Sequence, residues 1–269
     1  MSATVMGLAV ALAVVTAVRS TWSPCGLSML STITPIAEAG RGHNFRVTSI
    51  WFVIGSIGGG LTLGGLMAGL AIWAANSGLS PAAASSVIVM AALVTAASDA
   101  RVAGLRLPRH DRQVNERWLD RYRSWVYGIG FGWQIGTGLG TYIMTAGVYL
   151  LILMGALSGR PLFALALGAV FGLIRGLAVY LNVGSDSIER LLAFHADFES
   201  HRDAIRRATI AFQGAIAVGS AAVTPAPAPI LGAVVAVAAA IVIFALRGPG
   251  EAGSLDRETV SRSYARAPG

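Results

Sequence analysis

The chain holds one cysteine, Cys25, directly after a proline in the run Trp22-Ser23-Pro24-Cys25-Gly26-Leu27. A single sulfur excludes an intramolecular disulfide framework and any multi-cysteine metal site. Redox chemistry within this chain alone is therefore limited to one sulfur. If a helix restarts at this point, Ser23 is its N-cap, Pro24 its first residue, and Cys25 lies in the first turn. Backbone N–H groups in that turn favour a thiolate, whereas apolar burial opposes the charge. Two arginines, Arg19 and Arg175, also stand inside apolar runs. A guanidinium at the centre of a membrane helix costs roughly 2.5–3.5 kcal/mol on insertion scales, so each is expected to face a cavity or a partner. One such arginine in each half of the chain suits an anionic solute. His195 with Glu199, and Asp197 with His201, are spaced four apart as metal-binding pairs often are. Such pairs arise easily by chance on an acid-rich helix, and no metal or cofactor is assigned.

The elements that position these residues must lie in lipid. Apolar residues make up 55% of the 269 and charged ones 12%, with a mean hydropathy of +0.66, too much apolar surface for a water-soluble core. The formal charge of +7 comes from arginine alone. These arginines sit between apolar runs and form no single basic face, so the bilayer is the expected partner and nucleic acid is not. Residues 1–18 lack a positively charged leader, and a retained first helix is expected over a cleaved signal.

Seven candidate spans follow: 4–37, 47–75, 81–99, 124–157, 161–183, 208–223 and 229–246. Pro225, Pro227 and Pro229 mark a turn or a kink between the last two. Arginines concentrate in the segments 38–46, 100–123, 184–207 and 247–269, which seven spans place on one side. The positive-inside rule then sets the N-terminus outside and the C-terminus in the cytoplasm of a multi-pass cell-membrane protein. Within 101–123 the arginines alternate with acids in a lipid-facing loop, and Trp118, Tyr122 and Trp125 suit an interfacial belt. Residues 187–208 read as an amphipathic helix on the cytoplasmic surface. The tail, 247–269, reads as disordered and carries no redox domain.

Spans 4–37 and 124–157 are each about 34 residues long, about 50 Å as straight helix. Both contain breakers: Pro24 and Gly26 in the first, Gly132, Gly136, Gly138 and Gly140 in the second. Each is expected to be a broken helix whose freed backbone groups line an enclosed cavity. Each opens a half with two further helices, about 4–99 and 124–223, in one transmembrane domain of residues 1–246 with an extra helix at 229–246. Trp22-Ser23-Pro24-Cys25-Gly26 is answered by Trp133-Gln134-Ile135-Gly136-Thr137, and Phe52-Val53-Ile54-Gly55 by Leu165-Ala166-Leu167-Gly168. Three spans per half is odd, so the second half lies inverted in an all-α, polytopic fold. Glycines four apart (55 and 59, 60 and 64, 65 and 69; 132, 136 and 140; 168, 172 and 176) form stripes for close helix packing.

Ser23-Pro24-Cys25-Gly26-Leu27 resembles the first motif of the cytochrome c biogenesis transmembrane family, which includes the thiol-disulfide carriers CcdA and DsbD. Gly132-Trp133 and Gly138 resemble the second, so that the resemblance spans about residues 5–222. It implies an inverted three-plus-three fold that passes reducing equivalents between thioredoxin-like proteins on the two sides of the membrane. Ser28 and Ser31 stand where that family often has prolines. Gly136 stands where it has its second cysteine, and Ile135 where it has the proline before it. The resemblance carries Cys25 and Pro24 as reactive centre, with Ser23, Trp22, Trp133 and Gly136 about the cavity, and the arginines inside the apolar runs, Arg19 and Arg175, are expected to face the same cavity. Thiol-disulfide redox transfer through one cysteine, or support of cytochrome c and extracytoplasmic thiol protein maturation, is the expected function. A small-solute transporter and a non-catalytic assembly subunit are the alternatives.

Overall fold

A computed structural model describes residues 2–108, 122–140, 142–223 and 227–247. It contains α-helices, short 3-10 turns and, among the described residues, no strand. In order, the helices are α1 (Ala3–Ser20), α2 (Pro24–Thr32), α3 (Pro35–Gly40), α4 (Phe45–Asn76), α5 (Pro81–Ala100), α6 (Ser124–Thr137), α7 (Gly147–Leu157), α8 (Pro161–Leu177), α9 (Ile188–Ser200), α10 (Arg202–Val223) and α11 (Ala228–Arg247). Helices α1, α4, α5, α11 and α8 with its 3-10 extension to Asn182 are each long and apolar enough to cross a bilayer. The protein is an all-α polytopic membrane protein.

Local sequence sets many of the boundaries. Helices α2, α3 and α5 each begin with proline, which has no N–H to leave unsatisfied, behind a hydroxyl N-cap. Ser23 accepts from Gly26 N at 3.2 Å, Thr34 from Ala37 N at 3.0 Å and Ser80 from Ala83 N at 3.2 Å. Both long spans are broken: the first between α1 and α2, the second between α6 and α7, where Gly138 ends α6 at φ +69°. Helix α4 runs 32 residues without a break, about 48 Å, and must tilt or overshoot the bilayer.

Helix α4 is the central post, packed against α6 on one side and α8 on the other. Glycine makes both contacts close enough. A Cβ at Gly132 would overlap the Phe52 carbonyl and one at Gly55 the Ile129 carbonyl, while Gly60 faces Gly168 and Gly172 backbone. Gly65, Gly69 and Gly140, expected in the same stripes, meet nothing within 4 Å. Glycine spacing shows where backbones could approach, but the side of a helix that finds a partner is set by tertiary packing. The halves share a contact pattern: α4 meets α8 and α5 meets α10, while α4 on α6 is answered by α8 on α1, and α5 on α7 by α10 on α1.

Two boundaries differ from expectation. The amphipathic segment ends at Ser200, and α10 starts at Arg202, well before 208. No proline or glycine marks this turn, and the apolar period runs through it. The basic loop at 109–121, the centre of the proline segment at 224–226 and the tail from 248 lie outside the described residues.

Candidate functional site

At the first break, Thr21, Trp22 and Ser23 close onto the last carbonyls of α1: their N–H groups donate to Val18, Arg19 and Ser20 at 3.0, 3.3 and 3.1 Å. Ser23 then caps α2, Pro24 occupies its first turn, and Cys25 follows as a buried thiol in no disulfide, 1% exposed. Gly26 is required by this turn, because a Cβ there would overlap the Thr21 carbonyl. Trp22 fills the break. Its ring stacks on Phe198 with centroids 4.1 Å apart and planes 6° from parallel, and its Nε1 donates to the Phe198 carbonyl at 2.8 Å. Helix α9 is thereby pinned over the restart of the broken helix.

Arg175 reaches this point from α8. It is 2% exposed, its Nη2 donates to the Ser20 carbonyl at 3.3 Å, and its guanidinium stands 5.8 Å over the Phe171 ring. Its charge is within electrostatic range of Cys25. Cys25 belongs to a buried apolar cluster with Trp22, Met29, Phe52, Ile135, Met144 and Phe198. Beside it runs a groove of about 480 Å³ between the ends of α1 and α8 and the face of α9, lined by Trp22, Ile174, Leu177, Phe194, Phe198 and Ile205 among others.

The second break holds a polar centre that sequence reasoning missed. Asp99, the last residue of the expected span 81–99, is buried. Its Oδ1 accepts from Ala146 N at 2.8 Å. Its Oδ2 accepts from Thr145 Oγ1 at 2.5 Å and from Gln213 Nε2 at 3.0 Å. The charge of Arg19 acts on the same carboxyl. Arg19 is itself 2% exposed, at the end of α1 beside Ser20. Ser20, the next residue of α1, accepts from Arg175 at the first break. Gln213, a lone amide in an apolar stretch of α10, was the signal available in the sequence.

A second buried carboxylate was also missed. Glu38 of α3, 0% exposed, accepts from Thr48 Oγ1 at 2.5 Å, from Tyr127 Oη at 2.7 Å to Oε1 and from Arg41 Nη1 at 3.1 Å. It ties α3 to α4 and α6. Asn182 Nδ2 donates to the carbonyls of Leu30 and Ile33 at 2.7 and 3.3 Å, fixing the end of α2.

Trp133 and Gly136 are positioned differently from their counterparts. Trp133 is 44% exposed, and its Nε1 donates to Thr62 Oγ1 at 3.1 Å. Gly136 lies before the break and presses on Ser56 of α4, where a Cβ would overlap the Ser56 carbonyl. The paired residues of α9 are engaged elsewhere. His195 Nε2 lies 3.3 Å from Ser31 Oγ, Glu199 Oε1 2.6 Å from Arg202 Nε, and His201 Nδ1 2.9 Å from the Asp197 carbonyl. Burial pushes the His195 imidazole below its ordinary value.

No family model and no solved structure matches the chain. Curated proteins do. The chain is 33% identical over 181 residues to the methylamine utilization protein MauF of Paracoccus denitrificans, covering 64% of this chain and 62% of that one. The MauF of Paracoccus versutus is 31% identical over 171 residues, 61% and 60% of the two chains. For the MauF of Methylophilus methylotrophus the match is 32% over 194 residues, 70% of this chain and 67% of the relative. The matched region thus spans about three fifths of the two Paracoccus relatives' length. These matches support a membrane family without singling out the expected cytochrome c biogenesis carriers, and the chain belongs to the family of the methylamine utilization protein MauF.

Proposed function

We propose that this chain is a membrane-embedded accessory protein of methylamine utilization that assists maturation of an extracytoplasmic thiol protein by disulfide exchange at Cys25. The observation that carries the reading is the position of Cys25 in the first turn of the restarted helix, with the buried guanidinium of Arg175 held on the Ser20 carbonyl at the same break. The names of the relatives supply methylamine utilization, and the first motif supplies the resemblance to thiol-disulfide carriers.

The exchange balances without a second cysteine. The Cys25 thiolate attacks a client disulfide, a Cys25–client bond forms as the client's S–S bond breaks, and the departing client thiolate takes up the proton Cys25 gave up. A thiol of the client or of a thioredoxin-like partner then attacks the mixed disulfide, leaving a new disulfide in the product and restoring the Cys25 thiol. Trp22 and Phe198 cover the approach, so client binding must part α9 from the break. The N-terminus lies outside in this reading and the arginine-rich segments inside.

The test is growth on methylamine of a host deleted for this chain and supplied with Cys25→Ser. Loss of growth, with the variant present in membranes at the wild-type level, is the expected result. Full growth would rule the relay out.

The second break favours one other reading, a small-solute transporter. Arg19 and Arg175 are both buried at breaks in spanning helices, as a site for a small anion would require. Uptake of labelled phosphate or sulfate into proteoliposomes, lost in Arg175→Gln, would favour it. Absence of uptake would dismiss it.

A further inference from the structure

We infer that the first turns of α10 hold an oxyanion of the phosphate class, bound by the guanidinium of Arg206. This site stands apart from Cys25 and does not rest on the relay. Arg206 is 6% exposed, yet its Nε and Nη2 are buried without a hydrogen-bond acceptor, as are Nε of Arg207 and, despite its close ion pair, Nε of Arg202. Among the described residues the carboxylate recorded beside Arg206 is Asp203, whose Oδ1 is 3.7 Å from Nε, beyond hydrogen-bond reach. Arg202, equally buried, has Glu199 Oε1 2.6 Å from its Nε. Glu199 therefore answers the charge of Arg202, and the fork of Arg206 stays open.

A buried guanidinium with two open donors is costly, and more so in a chain that lies in lipid. Planar paired donors fit phosphate oxygens. Helix geometry brings the donors together, because side chains lean toward the N-terminus and carry Arg206 back over the turn that bears Arg202. The 22-residue helix α10 adds its own N-terminal N–H groups and dipole at the same place. Chemically, a phospholipid headgroup and a soluble phosphate are equivalent here. The site adjoins α9, an amphipathic helix with Leu192 and Ile188 exposed on its apolar side, which places it near the level of the lipid phosphates.

The experiment compares the thermal unfolding of the full-length protein in two settings. Lipid-depleted protein in neutral detergent is titrated with inorganic phosphate, and protein in nanodiscs of phosphatidylglycerol is set against nanodiscs of phosphatidylcholine. Arg206→Gln, Arg206→Lys and the exposed control Arg190→Gln run alongside wild type. A saturable rise with phosphate, weakened at least about tenfold in Arg206→Gln and kept in Arg190→Gln, supports the site with a soluble occupant. A rise confined to phosphatidylglycerol, with the same variant pattern, supports it with a lipid headgroup. If Arg206→Gln does not fold, Arg206→Lys is decisive: it keeps the charge, loses the fork, and must bind more weakly than wild type. No rise in either setting, or the same rise in wild type and in the Arg206 variants, overturns the inference.

Discussion

Cys25 and Gly136 occupy corresponding places in the two sequence motifs but serve different physical ends. Ser23 and Pro24 are a favoured N-cap and first helical residue, so the cap in front of Cys25 was legible from three adjacent residues. Gly136 was legible only as a missing cysteine. Its own role, letting α6 touch α4 at Ser56, depends on a neighbour far earlier in the sequence. Restoring the absent sulfur should therefore damage the fold. Gly136→Cys is expected to lose ~2 kcal/mol or more through overlap with α4 backbone, read as a lower unfolding temperature in detergent and no internal disulfide on a non-reducing gel. A stable variant whose introduced sulfur bridges to Cys25 would mean that α4 and α6 can separate. Arg175 and Arg19 announced themselves as charges in apolar runs, but their partners did not, since Ser20 offers only a carbonyl and Asp99 stood at the apparent edge of its span.

The two broken helices could be read from length against bilayer thickness with central breakers, and both are present. The chemistry inside the second break could not, because it is assembled from α5, α10 and the start of α7. Asp99→Leu would strand the hydroxyl of Thr145, the N–H of Ala146 and the amide of Gln213 in a buried centre. The expected loss is ~3 kcal/mol or more, with Asp99→Asn falling between it and wild type in thermal unfolding. An unchanged Asp99→Leu would show that the break is held by packing alone. Helix α9 has its own signature in pH. Burial lowers the folded-state pKa of His195, so below the ordinary value near 6.5 the unfolded chain binds the extra proton first. Stability from this group is full above that value and declines as pH falls through the window beneath it. His195→Gln should flatten the fall in unfolding temperature between about pH 7 and 5. An equal slope in the variant would assign the dependence to other groups.

Composition alone identified the solvent of the fold, since so few charges among so many apolar residues leave lipid as the only bulk environment. The expectation of a repeat rested on broken-helix lengths and weak motif pairs, whereas the central place of α4 was not legible, because nothing local marks a glycine-bearing helix as the one with partners on both sides. The arginine distribution predicts that a fluorescent reporter fused to the C-terminus is active and a phosphatase reporter there inactive; the reverse pattern would invert the proposed orientation. The account as a whole turns on whether the single sulfur at the first break exchanges with another protein. Native membranes quenched in acid and alkylated will answer this on a non-reducing gel. A reducible adduct between this chain and an extracytoplasmic protein, absent in Cys25→Ser, is the predicted result. A Cys25 that stays reduced under oxidative challenge and is labelled only after denaturation would contradict it.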